Sequence, residues 1–287
     1  MIITKSNPEE IQSVLKSLLR FQDGIKSLAV RIDSSPWDKA DWPLAVEPTF
    51  LINEQDELQK ISRAEAVVDL FIREPVQGLS ILDYGCGEGH VAVEMAKRGA
   101  KVIAYDPAYV GKFTEAKFVS SQEEAFLSGP YDIILLFDVL DHVMDVEPSE
   151  ILKKCAGALK PGGRILCRYH PWCSRHGTHI FHKTNKAFLH LIFDEQLLVD
   201  LGSPGIPTRK VIHPRVSYKS WAADAGLKYT KFETQRQTVE EFFKSHQAWI
   251  VNHWRSSKID AELAAGRGWP DYAMEQNFVD TEMIVDG

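Results

Sequence analysis

This 287-residue sequence predicts an α/β fold built on a doubly wound, parallel sheet. Three observations carry that expectation. Residues 81–89 read Ile-Leu-Asp-Tyr-Gly-Cys-Gly-Glu-Gly, an apolar strand end running into a turn with glycines at alternate positions. Residues 101–106 form a second short apolar stretch that also ends in an acid, Asp106. Residues 131–137 are an apolar run with a single charge, the pattern of a central strand buried on both faces.

The remaining elements follow in order. Apolar residues at 11, 14, 15, 18 and 19 recur at helical spacing, so residues 9–20 are expected to form an amphipathic helix. An irregular stretch with Pro36-Trp37 and Trp42-Pro43 comes next, and residues 53–72 read as a helix leading into the first strand. Asp83 closes that strand, at the end where open α/β sheets bind ligands. After the glycines, Val91, Met95 and Ala96 keep helical spacing, Lys97 and Arg98 fill the last turn, and Gly99 ends it. Residues 117–122 are a weaker third strand. A helix over 149–159 stops at Lys160-Pro-Gly-Gly163, read as a break before strand five at 164–170. Residues 216–226 suit a helix, 227–233 a sixth strand and 280–285 a seventh.

The turn itself narrows the ligand. Its spacing is G-x-G-x-G, so the third glycine of the dinucleotide fingerprint is missing, which argues against a nicotinamide oxidoreductase. An acid also stands two residues before the first glycine. Asp83 would repel a pyrophosphate but would welcome a ligand carrying an ammonium and a sulfonium. Asp106 lies 21 residues beyond Gly85, about where an acid holds the two hydroxyls of an adenosine ribose. A helix cap or turn role before Pro107 is the alternative.

Residues 81–89 resemble the first motif of class I S-adenosylmethionine (SAM)-dependent methyltransferases. Val139-Leu140-Asp141-His142 after strand four and Leu-Lys-Pro-Gly-Gly at 159–163 extend the resemblance. It implies a seven-stranded, mostly parallel sheet with strand seven antiparallel, an N-terminal helical lid, and substrate-cap insertions after strands five and six. It divides the chain into a lid at 1–59, a Rossmann-like SAM-binding core at 60–170, and a completion of the sheet with cap insertions at 171–287. It implies cofactor contacts at Asp83, Gly85, Cys86, Gly87, Asp106, Pro107, Ser121, Gln122, Phe137 and Asp138. One position departs from the family pattern. Members often carry an acid past strand three that contacts the adenine amino group; here Ser121 and Gln122 precede Glu123. The Gln122 amide can bond an adenine edge, and a plain surface turn is the alternative.

Composition bounds the partners. Apolar content of 44% is that of an ordinary globular protein. The net charge of −7 disfavours nucleic-acid substrates, which ask for a basic face. The Asp/Asn-Pro-Pro-aromatic segment of base amino-methyltransferases is replaced by Asp138-Val-Leu-Asp. Cys86, Cys155, Cys167 and Cys173 lack paired metal spacing and are expected to be reduced and structural. No apolar run reaches membrane-spanning length and no signal peptide is seen, so a cytoplasmic location is expected. Oligomeric state is left open.

Methyl transfer from a sulfonium is an in-line displacement, and an oxygen acceptor also needs a base. His142 is the first candidate, with Asp141 its alternative; His142 packing or capping a helix start is the other reading. Histidines 170, 176, 179, 182 and 190 crowd one segment. Three of them are spaced by three, but Gly177-Thr178 argues against a helix and no acid interleaves, so no metal is expected. His170, Tyr169 or Arg175 is expected to touch substrate or act as base, the alternative being a polar surface loop. Further on, Trp249, His253 and Trp254 suit either an aromatic substrate wall or a packed helix. The expected function is transfer of a methyl group from SAM to a small-molecule acceptor, first an oxygen of sugar or natural-product type in biosynthesis, then a nitrogen. The competing expectation is a non-catalytic SAM-binding partner subunit.

Overall fold

The computed structural model describes residues 56–108, 113–143, 146–171, 174–176, 187, 213, 215–235 and 278–286. The chain divides into two compact units. The sheet unit comprises Gln55–Tyr169, Ser217–Glu233 and Val279–Gly287; the other comprises Met1–Glu54, His170–Val216 and Thr234–Phe278. The expected helix at 9–20, the tryptophans at 37, 42, 249 and 254, and the histidines at 179, 182, 190 and 253 lie outside the described residues.

The seven strands are β1 (Ser80–Tyr84), β2 (Lys101–Tyr105), β3 (Lys117–Val119), β4 (Tyr131–Phe137), β5 (Leu159–Tyr169), β6 (Leu227–Gln235) and β7 (Phe278–Val285), in the sheet order β3-β2-β1-β4-β5-β7-β6. β3, β2, β1, β4 and β5 run parallel, and β7 is antiparallel to β5. Five helices are described: α1 (Glu57–Ala66), α2 (His90–Lys97), α3 (Gln122–Leu127), α4 (Pro148–Gly157) and α5 (Arg215–Asp224). None of the described helices is long and apolar enough to cross a membrane.

Residue alternation explains why the central strands tolerate no polar face. Neighbours on a strand point to opposite sides. Ile81, Ile133 and Leu135 enter one core with Val68, Phe71, Ala92 and Met95. Leu82, Ile134 and Leu136 enter the other with Ala125, Ile151, Cys155 and Tyr218. Thus α2 and the segment after α1 cover one face, while α3, α4 and α5 cover the second. Tyr169 and Tyr218 stack at 3.7 Å between ring centroids in that second core.

Three boundaries differ from expectation by three residues or more. The helix expected through residue 72 is α-helical only to Ala66. Val67–Ile72 continue as a π-turn that buries Val67, Val68, Phe71 and Ile72, and Arg73 ends it in the left-handed region at φ 62°. The third strand stops at Val119 because the Ser121 hydroxyl accepts the Glu124 N–H at 3.1 Å and starts α3 as its cap. The Pro-Gly-Gly segment does not break the chain. β5 begins at Leu159, and its pairing with β4 shifts between Tyr131 and Ile133 to absorb the extra residues. Gly163 is needed there, since a Cβ would stand 2.7 Å from the Tyr131 carbonyl oxygen.

Candidate functional site

The carboxyl ends of β1, β2 and β4 gather the residues singled out from the sequence. The turn after β1 is pinned from behind, because the N–H groups of Gly85 and Cys86 both donate to the Tyr105 carbonyl, at 2.7 and 3.0 Å. Gly85 has φ +79°, and a Cβ there would sit 2.5 Å from Val139 Cγ2, so no other residue lets the turn close on the β4 end. Gly87 shows the opposite surroundings. No described residue lies within 4 Å of the position its Cβ would take. The turn is therefore packed tightly on one side and open on the other, the shape that lets a ligand reach the backbone.

Asp106 at the end of β2 is tied to this turn. Its Oδ2 accepts the Gly87 N–H at 3.0 Å and its Oδ1 accepts the Ala108 N–H at 2.8 Å. Both acceptor atoms retain lone pairs for further donors. Pro107 beside it is exposed. Cys86 is half-buried, and burial first, then Asp83 and Asp106, pushes its thiol far above the usual range. The thiol is thereby held protonated, the weakly nucleophilic form.

Asp83 is 3% exposed. The Ala92 N–H faces its carboxyl and favours the ionised form, yet Oδ2 meets no donor among the described residues. Burial, reinforced by the neighbouring charge of Asp106, pushes its pKa up to about 7. A buried carboxyl with an unmatched oxygen beside an open glycine turn and a second acid suits a cationic ligand. These residues fit SAM, which carries a sulfonium, an ammonium and a ribose.

The adenine side is differently arranged. Gln122 is engaged at both ends of its amide, donating to the Tyr84 hydroxyl and accepting from Lys154 Nζ at 2.9 Å. Ser121 spends its hydroxyl on the α3 cap. An adenine would meet these residues through backbone or through rearrangement of the pair.

At the end of β4, Asp138 takes a left-handed conformation, φ 57°, costly for a residue with a Cβ. Its N–H donates to the Arg168 carbonyl at 3.0 Å, and its Oδ2 lies 3.3 Å from Arg63. Burial pushes Asp138 upward, while Arg63, Arg168 and His142 pull the other way. Arg168 grips Asp280 with two 2.6 Å bonds and lies over the Phe137 ring at 4.8 Å and over Phe71 at 5.1 Å. Asp141 is fully buried, whereas His142 is exposed in the turn, its N–H donating to the Val139 carbonyl at 2.9 Å.

His170 opens the segment that belongs to the other unit. There its Nδ1 lies 3.3 Å from the Ser174 hydroxyl, and its ring packs on Phe278 at 4.4 Å and on His176 at 5.2 Å. The ring is 7% exposed.

Sequence reasoning missed Arg63, Arg168 and Asp280. A signal for Arg63 was present. Glu57, Lys60 and Arg63 recur every three residues and so share one face of α1. That face pairs with His90 at 2.9 Å, with Glu88 at 2.7 Å and with Asp138. The Arg168–Asp280 pair joins strands 112 residues apart, which no local pattern announces.

Comparison with known proteins agrees with this geometry. A family model described as a methyltransferase domain matches residues 54–231, more than half of the chain. The ubiquinone biosynthesis O-methyltransferase of Methylocella silvestris is 26% identical over 205 residues, covering 65% of this chain and 75% of that protein. The ubiquinone biosynthesis O-methyltransferase of Caulobacter vibrioides is 38% identical over 104 residues, or 32% of this chain and 40% of that protein. Against that second relative the chain therefore matches less than half the length. Among solved structures, magnesium protoporphyrin IX methyltransferase from Synechocystis PCC 6803 with bound S-adenosylhomocysteine (SAH) aligns over 87% of this chain and 92% of that one, with 17% identity and a TM-score of 0.45.

Sheet order, glycine turn and paired strand-end acids define a class I SAM-dependent methyltransferase fold. The chain belongs to the methyltransferase-domain family.

Proposed function

We propose that this chain transfers the methyl group of SAM to an oxygen of a small-molecule acceptor, a ring or sugar hydroxyl in a biosynthetic reaction. The observation that carries the proposal is the joint placement of Asp83, the Gly85–Gly87 turn and Asp106 at the carboxyl ends of neighbouring parallel strands. The oxygen preference is supported by the O-methyltransferases it is similar to, and by the acids and imidazole clustered after β4.

Bound SAM supplies an electrophilic methyl on sulfur. The protein's tasks are then positioning and proton removal. In this proposal Gly85, Cys86 and Gly87 bring backbone close to the ligand, and Asp106 accepts both ribose hydroxyls. Ser121 and Gln122 border the adenine, with Pro107 beside the ribose. Arg63, whose side chain is 62% exposed, has one edge on Asp138 and others available to a carboxylate such as that of the cofactor. Phe137 and Asp138 form the wall toward the acceptor. His142 takes the acceptor proton, because it is exposed at the β4 end beside Asp138. Fully buried Asp141 is the less accessible alternative. A small-molecule acceptor and a cytoplasmic setting complete the proposal.

Radiolabelled methyl transfer from SAM to a panel of phenol, catechol and sugar acceptors tests it. Label in a product ether bond is the expected result. Label on an amine would move the assignment to nitrogen, and cofactor binding without transfer to any acceptor would favour a non-catalytic subunit.

A further inference from the structure

Asp83 is the most deeply buried acid beside the glycine turn, and no role in holding the fold accounts for its second oxygen. The groups facing it can be enumerated. From β2 comes Asp106, a like charge; from the turn comes the Cys86 thiol; from α2 comes only the Ala92 N–H. From β4 its register partner is Leu135, next to Ile133 and Ile134, all apolar. Its neighbour on its own strand is Tyr84. Among the described residues that face it, none is a cation.

We propose that Asp83 carries a proton in the cofactor-free protein and releases it when SAM binds, so that preference for SAM over SAH depends on pH, an inference that rests on the SAM reading of the site. Methyl transfer converts a sulfonium into a neutral thioether. Substrate and product cofactors therefore differ by one positive charge, and a buried acid lacking a cationic partner responds to that difference. SAM brings a sulfonium and an ammonium toward the ionised carboxylate. SAH keeps the ammonium alone and stabilises the ionised form less. Asp83 thus acts as a specificity-determining group that favours release of the spent cofactor.

The size of the effect follows from the position of the titration near neutrality. At pH 6 about one carboxyl in ten is ionised in the cofactor-free protein, and at pH 8 about nine in ten. SAM affinity should then rise up to about ninefold across that interval, with a shallower rise for SAH. At pH 7 binding of SAM should expel up to about half a proton.

Calorimetric titration of the full chain with SAM and with SAH, at pH 7 in buffers of different ionisation enthalpy, counts that proton. The expected result is release approaching half a proton with SAM and less with SAH. In Asp83→Asn the difference between the two ligands should vanish, and SAM affinity should become flat from pH 6 to 8. Wild type that binds both ligands without proton release, or an Asp83→Asn variant that releases as much as wild type, overturns the proposal while leaving the cofactor site intact. Failure of both ligands to bind overturns the SAM assignment itself, and the proposal with it. Carbon-13 NMR of aspartate-labelled wild type is independent of the variant's folding. One carboxyl should titrate near neutrality and become ionised on adding SAM; carboxyls that all titrate in the ordinary range refute the proposal.

Discussion

Two aspartates end neighbouring strands of this sheet in opposite company. Asp83 closes β1 among apolar side chains, a thiol and another acid. Asp138 follows β4 and meets Arg63, with Arg168 and His142 close enough to bias its charge. Burial pushes both carboxyls upward, yet among the described residues cations offset it at Asp138 and none does at Asp83. The contrast teaches where a ligand's charge is wanted. The β4 end already holds its own counter-ions, so it suits a neutral acceptor. The β1 end lacks them, so it suits a ligand that brings its own.

The largest effect should come from removing the carboxylate that joins the β1 turn to β2. Asp106→Ala takes away the acceptor for two backbone N–H groups and, in the proposed function, for two ribose hydroxyls. Hydrogen bonds to a charged group are each worth about 1.5–3 kcal/mol, so SAM affinity should fall about 100-fold or more by calorimetry. Retention of affinity within a few-fold would remove Asp106 from the cofactor site.

Next comes the seam where the two regions touch. Gly85→Ala forces a Cβ into Val139 at positive φ. Strain and overpacking together should cost roughly 2–4 kcal/mol, seen as a lowered Tm. The double variant Gly85→Ala with Val139→Ala should recover part of that loss, and failure to recover any would show that the backbone conformation dominates.

Asp83→Asn sharpens the contrast through pH. The folded pKa of Asp83, about 7, lies above its ordinary value of 3.8. The folded state therefore holds a proton that the unfolded chain gives up between those values. Stability associated with neutral Asp83 is complete below about pH 3.8 and is lost as pH rises through about 7. An amide never ionises and escapes this loss. The stability of Asp83→Asn relative to wild type should thus improve between pH 4.5 and 7.5, by at most roughly 2–3 kcal/mol. Denaturant melts at the two pH values check the sign, and a constant difference would refute it.

The smallest effect on stability belongs to Arg63→Ala. Its own side chain is 62% exposed, although the Asp138 carboxyl it meets is mostly buried, and Arg168 and His142 remain beside that acid, so the loss should stay near about 1 kcal/mol. Tm should hardly move. If the guanidinium holds the cofactor's carboxylate, SAM affinity should fall about tenfold all the same. Equal and small losses in both measurements would confine Arg63 to the surface pair.

Much of the fold was legible because its signals are local. Strand β4 declared itself through apolar residues on both faces, and the β1 turn through its glycines. Errors appeared where a distant partner decides. Lys160-Pro-Gly-Gly163 reads as a break, yet β4 pairs on either side of it and draws it into β5. His142 is the first candidate base in the sequence and Asp141 its alternative, and only folding exposes the one and buries the other.

The sequence by itself determined the class of fold, the glycine turn and the acids at the ends of β1 and β2, because backbone preference and hydrophobic period act over a few residues. Tertiary structure alone decided which acids have counter-ions. Arg63 reaches Asp138 across 75 residues and Arg168 reaches Asp280 across 112, while Asp83 is left beside Asp106. Electrostatics depends on distance and burial rather than on order along the chain, so the charge state of this site exists only once the sheet has closed.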